Sequence, residues 1–199
     1  MSSQCSTNLP HVLCFTEHHL HDHEINSIYI NSFNLGAKYC RVNLKHGGVS
    51  IFVHETMPFT TINLSDFCID QDIEICAIKL HFSFVKFCVM SVYRALTGNF
   101  IHFLSSLDSI LNLLYNNSLN FIICGVFNIN YLENSNGKFQ LDSLLASYNL
   151  QSVVDFPTRI TNSSHTTIDN IFLNKSKSKD FSIQPCPMDY QIMMPKSLH

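Results

Sequence analysis

Four polar residues stand where apolar runs of this 199-residue chain end, and together they could support hydrolytic chemistry. Glu17 follows Val12-Leu13-Cys14-Phe15 and Thr16, while Tyr93, with Arg94 beside it, closes the run from Val85 to Val92. Asn128 follows Phe121 to Phe127, and Asp169 sits within Thr167-Ile168-Asp169-Asn170-Ile171. A carboxylate, a phenol, an amide and a second carboxylate supply the oxygen donors that a hard cation such as Mg²⁺ prefers. Taken alone, each is equally a turn or capping residue, so the chemistry depends on strand ends bringing them to one cleft. A second candidate is His18-His19-Leu20-His21-Asp22-His23-Glu24. On a helix, His19 and His23 would share a face at i, i+4, as in some zinc sites. The order does not fit His-Glu-x-x-His, and a surface loop or short helix explains the run equally well.

The elements that must position these residues follow from hydrophobic periodicity. Val12 to Phe15, Val49 to Val53, Ile73 to Leu80, Val85 to Val92, Phe121 to Cys124 and Ile168 to Leu173 predict strands. Gly47-Gly48 predicts a turn into the second of these. The third and fourth runs are apolar on both faces, as for strands covered on one side and packed sheet-on-sheet on the other. Phe100, Phe103, Leu104, Leu107, Ile110, Leu111 and Leu114 fall on one face of a helix that Asn99 can cap. Leu141, Leu144, Leu145 and Tyr148 predict a shorter helix ended by Asn149. Ser176 to Asp180, within Lys-Ser-Lys-Ser-Lys-Asp, predicts an exposed loop. Strands in hairpins separated by amphipathic helices make this a mixed α/β chain.

Composition narrows the class. Hydrophobic residues are 46% and charged residues 14%, which excludes a disordered chain. Twelve Lys+Arg against fifteen Asp+Glu give a net charge of −3, with no basic run, so composition by itself does not suggest a nucleic-acid partner. Eight Cys occur without a Cys-x-x-Cys pair, against zinc ribbons and thioredoxin-like chemistry. Met1 to Pro10 is polar and no apolar run approaches the ~20 residues needed to span a bilayer. The expectation is a soluble intracellular protein, nuclear or cytoplasmic, with neither signal peptide nor membrane partner.

Six segments, in this order, resemble the endonuclease/exonuclease/phosphatase superfamily, and specifically the apurinic-type endonuclease domain of LINE-like (non-LTR) retrotransposons. They are Leu13-Cys14-Phe15-Thr16-Glu17-His18-His19-Leu20, His46-Gly47-Gly48-Val49, Val92-Tyr93-Arg94-Ala95, Ile123 to Leu132 around Gly125-Val126-Phe127-Asn128, Phe156-Pro157-Thr158-Arg159-Ile160 and Ile168-Asp169-Asn170-Ile171-Phe172. The resemblance covers residues 9–194 as a single domain. It implies two β-sheets packed face to face and flanked by helices in four layers, with Mg²⁺ as cofactor and a DNA phosphodiester as substrate. It implies that Glu17 holds the metal and that Tyr93, Asn128 and Asp169 are catalytic. Arg94, Thr158 and Arg159 would contact DNA.

The departures from the family pattern point to a degenerate copy. Val126 stands where the family motif Gly-Asp-Phe-Asn has its aspartate. The family's closing Ser-Asp-His motif is replaced by Pro187-Met188-Asp189-Tyr190-Gln191, so Tyr190 stands where a histidine is wanted and Asp189 is a remnant. The asparagine-bearing first strand of the family has no counterpart, so one sheet is expected to be short of a strand. Residues 175–199, interrupted by Pro185, Pro187 and Pro195, are expected to be the least regular. A positioned acid or base contributes ~10²–10⁴-fold to rate, so the resemblance with these losses implies a nuclease fold that cuts weakly or not at all. Alternatives are a non-catalytic DNA- or protein-binding module and an unselected transposon relic.

Overall fold

The computed structural model describes residues 10–42, 46–82, 85–116, 118–184 and 191–193. Apolar, β-branched runs form most of the strands. In chain order these are β1 (Val12–Thr16), β2 (Phe33–Tyr39), β3 (Val49–His54), β4 (Phe59–Ile62), β5 (Glu74–His81), β6 (Lys86–Tyr93), β7 (Leu119–Val126) and β8 (Leu150–Ser152). They continue with β9 (Arg159–Ile160), β10 (His165–Thr166), β11 (Asp169–Asn174), β12 (Ser182–Gln184) and β13 (Gln191–Met193). Helices are α1 (Asp22–Ile25), α2 (Phe100–Leu114) and α3 (Asn136–Ser147). As expected, Asn99 caps α2, its side chain accepting from the backbone N–H groups of Ile101 and His102. Asn149, with φ of 58°, takes the left-handed conformation just past α3.

The strands build a six-stranded sheet, β4-β5-β6-β7-β11-β8, and a three-stranded sheet, β1-β3-β2. Two short pairs, β9 with β10 and β12 with β13, lie outside both. Strands β6 and β7 are parallel, and α2 is the crossover that such a pair requires. One core lies between the sheets, where Val49, Ile51 and Val53 meet Ile78, Leu80, Val89, Ile122 and Ile171. A second lies between the large sheet and its helices, where Ile75, Met90, Val92 and Ile123 meet Phe103, Leu107, Ile110, Leu141 and Leu145. The large sheet is therefore covered on both faces, which is why its central strands read as continuous apolar runs. Helix α1 is a single turn tied to β2 by Lys38, whose ammonium pairs with Asp22 at 2.7 Å.

Register then aligns four side chains at one end of the large sheet, three of them polar. Glu74 is the direct partner of Tyr93, Tyr93 of Val126, and Val126 of Asp169. Directly paired residues share a face, so these four form one row across β5, β6, β7 and β11 on the side facing the small sheet. Gly125 makes the row possible. Its φ is 142°, and a Cβ there would fall 1.9 Å from the Val92 carbonyl oxygen. Strand β1 ends against the same end of the sandwich and delivers Glu17.

Candidate active site

Glu17, the residue after β1, adopts a left-handed φ of 53° and is exposed. Its carboxylate Oε1 accepts a 2.8 Å hydrogen bond from the Tyr93 hydroxyl. That bond joins the small sheet to the large one between residues 76 positions apart. Tyr93 is 7% exposed, and its phenol is pushed up to about 12, first by burial and then by the bond to the Glu17 carboxylate and its charge. Val126 fills the next position in the row and is buried. Asp169 follows, and its Oδ2 accepts from the Thr158 hydroxyl at 2.6 Å. The same Thr158 oxygen accepts from the N–H groups of Ile168 at 3.1 Å and Asp169 at 3.2 Å, so one side chain fixes the entry to β11.

Asn128 lies two residues past Val126, also left-handed with φ of 52°. Non-glycine residues in this region cost on the order of 1 kcal/mol or more and persist only where surrounding bonds hold them. Arg94 does the holding. Its Nη2 donates to the Asn128 carbonyl at 3.0 Å and its Nε to the Phe127 carbonyl at 2.8 Å. Its Nη1 reaches the Ala95 carbonyl at 3.2 Å. Asn128 answers by donating Nδ2 to the Arg94 carbonyl at 2.7 Å. The guanidinium is buried over the rings of Phe100 and Phe103. The Arg94 side chain, expected to contact DNA, is placed clamping the ends of β6 and β7 together on the helix side of the sheet. The Thr158 hydroxyl likewise faces inward onto Asp169. Arg159 is exposed on β9 and remains available to a ligand.

Asp189 and Tyr190 lie outside the described residues. The histidine run does not form a zinc helix. His19 precedes α1 with φ of 60°, and its Nδ1 accepts from the Gly47 N–H at 2.9 Å while its own N–H donates to the Gly47 carbonyl at 2.8 Å. Among the described residues no group of three His, Cys, Asp or Glu side chains is arranged to hold a metal ion. The donors gathered here are oxygens, the type a hard cation takes, and Glu17 offers an exposed carboxylate among them.

Two residues beside the cleft were missed by sequence reasoning. Glu74, fully buried, accepts from Arg41 Nε at 2.7 Å and also from Arg41 Nη2. It further accepts from the backbone N–H of Gly48 at 2.6 Å and of Gln71 at 3.2 Å. The Arg41 guanidinium lies 5.8 Å from the Tyr93 ring centroid. Alternation held the signal, because Glu74 shares the parity of Cys76, Ile78 and Leu80, whose side chains face the small sheet. A carboxylate at such a position demands a buried cation.

The six described cysteines are free thiols, and no described helix is long and apolar enough to cross a membrane. No protein-family model matches the sequence, and no curated protein matches it. Solved structures do resemble it. The endonuclease domain of TRAS1, a telomere-specific non-LTR retrotransposon, superposes with a TM-score of 0.64 at 12% identity, covering 82% of this chain and 77% of that one. The 3′ phosphatase NExo from Neisseria, bound to a product DNA hairpin, gives 0.57 at 14% identity over 94% and 90% of the two chains. An endonuclease/exonuclease/phosphatase family protein from Leptotrichia buccalis gives 0.51 at 16% identity over 78% and 64%. The two-sheet sandwich thus shares its fold with these solved structures.

Proposed function

We propose that this chain is an endonuclease-like domain of retrotransposon type, whose cleft receives a DNA phosphodiester and cuts it poorly. The observation that carries the reading is the 2.8 Å bond from Tyr93 to Glu17, which brings together two site residues from different sheets beside the Val126–Asp169 pair. In this reading Glu17 holds Mg²⁺, which when bound supplies charge against the phosphate and acidifies a bound water. The Tyr93 hydroxyl and the Asn128 amide orient the phosphate. Arg159 meets the DNA backbone, and Thr158 holds Asp169 in place. Val126 offers neither a hydrogen-bond acceptor nor charge at the centre of the row, so the water has no carboxylate to orient it there. Loss of one positioned base costs ~10²–10⁴-fold in rate, and losses within one catalytic unit are not additive.

Nicking of supercoiled plasmid with and without Mg²⁺ tests this. The unaltered chain should nick at or near background. Robust Mg²⁺-dependent nicking that disappears in Glu17→Gln would keep the site but refute the attenuated activity. The apolar Val126 also favours a second reading, a module that holds DNA without cutting. That reading expects salt-dependent DNA binding that Arg159→Ala weakens and no nicking under any condition.

A further inference from the structure

Buried ion pairs are weak contributors to stability, since desolvation offsets most of their attraction and apolar replacements often fold as well. The pair formed by Glu74 and Arg41, whose side chains are 0% and 7% exposed, therefore calls for an account other than stability. Its placement supplies one. Glu74 accepts four hydrogen bonds, from two guanidinium nitrogens of Arg41 and from the backbone of Gly48 and Gln71. Gly48 begins the turn into β3 of the small sheet, and Gln71 lies in the loop before β5 of the large one. One carboxylate thus fastens both sheets together at the end where the cleft opens. Gly47 is shaped for the guanidinium: its φ is 87°, and a Cβ there would fall 2.5 Å from Arg41.

The pair also bounds Tyr93 on two sides. Glu74 is its direct partner across the β5–β6 ladder, and the Arg41 guanidinium faces its ring at 5.8 Å. Arg41 cannot swing away while Nε and Nη2 are bonded to Glu74. The Tyr93 hydroxyl, so aimed, supplies the side-chain hydrogen bond seen on Glu17 among the described residues. Glu17 itself is exposed and sits in a strained left-handed conformation, so little else directs its carboxylate.

We infer that Glu74 and Arg41 are positioning residues of the cleft: their buried pair fixes the Tyr93 phenol, which in turn fixes the Glu17 carboxylate for a divalent cation. The metal part of this statement rests on the function proposed above; the positioning part does not.

Two measurements keep these apart. The chain contains no Trp, so Tb³⁺, a hard cation used here as the probe, can be sensitised by tyrosine alone near the site. Tyrosine labelled with ¹³C at Cζ reports the hydrogen bond of the phenol without any metal, with Tyr93 assigned from Tyr93→Phe. The double variant Arg41→Met with Glu74→Leu removes both charges and leaves neither buried alone. It should unfold cooperatively, move the Tyr93 resonance toward its position in Glu17→Gln, and lose ~10-fold or more in Tb³⁺ affinity, as outer partners of metal ligands do. Arg41→Lys, which keeps the charge but not the planar fork, should shift the resonance part of the way. It also serves as the reading variant should the double variant fail to fold. An unchanged Tyr93 resonance in a folded variant overturns the positioning role. A moved resonance together with a Tb³⁺ affinity indifferent to Glu17→Gln upholds positioning and overturns the metal assignment.

Discussion

Replacing Val126 by Asp introduces the residue type found there in the motif that this segment resembles, and the structure sets what this should cost. Val126 is 8% exposed, with Asp169 directly opposite in the β7–β11 register and Tyr93 on its other side. Directly paired side chains in a sheet stand about 5 Å apart at Cβ. Two unit negative charges at ~5 Å repel by about 3 kcal/mol at an effective dielectric of ~20, and by under 1 kcal/mol in bulk water. Asp169 is half-buried, so the charge-dependent penalty should fall at about 1–3 kcal/mol. Val126→Asn removes the same methyl groups and inserts a polar group of the same shape, so the difference between the two variants isolates the charge. At ~2–4 °C per kcal/mol for a chain of this size, Val126→Asp should melt roughly 2–12 °C below Val126→Asn without metal. Mg²⁺ should reverse the order, because a ligand at 100 times its Kd stabilises by ~2.7 kcal/mol. Thermal melts of both variants with and without Mg²⁺ read this directly. Equal melting points in both conditions would mean that position 126 does not face the carboxylates, and the site would have to be redrawn. Cutting should return only when a histidine is also introduced at Tyr190.

Tyr93→Phe should alter stability in a pH window set by its phenol. The folded group titrates near 12 rather than 10, so its contribution is whole below pH 10 and is lost as pH rises toward 12. Denaturant melts across that range should therefore fall less steeply for Tyr93→Phe than for the parent. Arg94→Met should destabilise by about 2–4 kcal/mol in urea, since it strips donors from the buried carbonyl of Phe127 and the part-buried carbonyl of Asn128. It should leave the salt dependence of DNA binding unchanged, whereas the exposed Arg159→Ala should reduce the slope by about 0.9 without changing stability. A reduced slope for Arg94→Met in a folded protein would return Arg94 to the DNA-contacting set.

The four central strands of the large sheet, β5, β6, β7 and β11, were legible because burial on both faces leaves their sequences largely apolar, whereas the short edge strands β4 and β8 were not; α2 was legible because one face alone is buried. Strand β2 was not. Its sequence, Phe-Asn-Leu-Gly-Ala-Lys-Tyr, has a bulge between Leu35 and Ala37 that breaks the period of two, and Gly36 supplies no side chain to read. A Cβ at Gly36 would approach Val53 Cγ2 to 2.9 Å, so the glycine marks close packing of β2 on β3 rather than a turn. The short β9–β10 hairpin was equally silent, since two-residue strands carry no periodicity.

At the site, motif position identified the segments but not the direction of each side chain. Tyr93 and Arg94 are neighbours, and consecutive residues of a strand face opposite sides of its sheet. Tyr93 shares a face with Glu74 and packs among the residues between the sheets, so Arg94 must follow Val92 toward the helices. There it meets Phe100 and Phe103 and the carbonyls where β6 and β7 stop hydrogen-bonding to each other. The same parity assigns Glu74 to the cleft side, where an uncompensated carboxylate would be costly and Arg41 is its partner. Parity was available from the sequence; what it lacked was the register that makes Glu74, Tyr93, Val126 and Asp169 one row. That row brings the polar side chains of Glu74, Tyr93 and Asp169 onto a single surface, with the apolar Val126 between the last two.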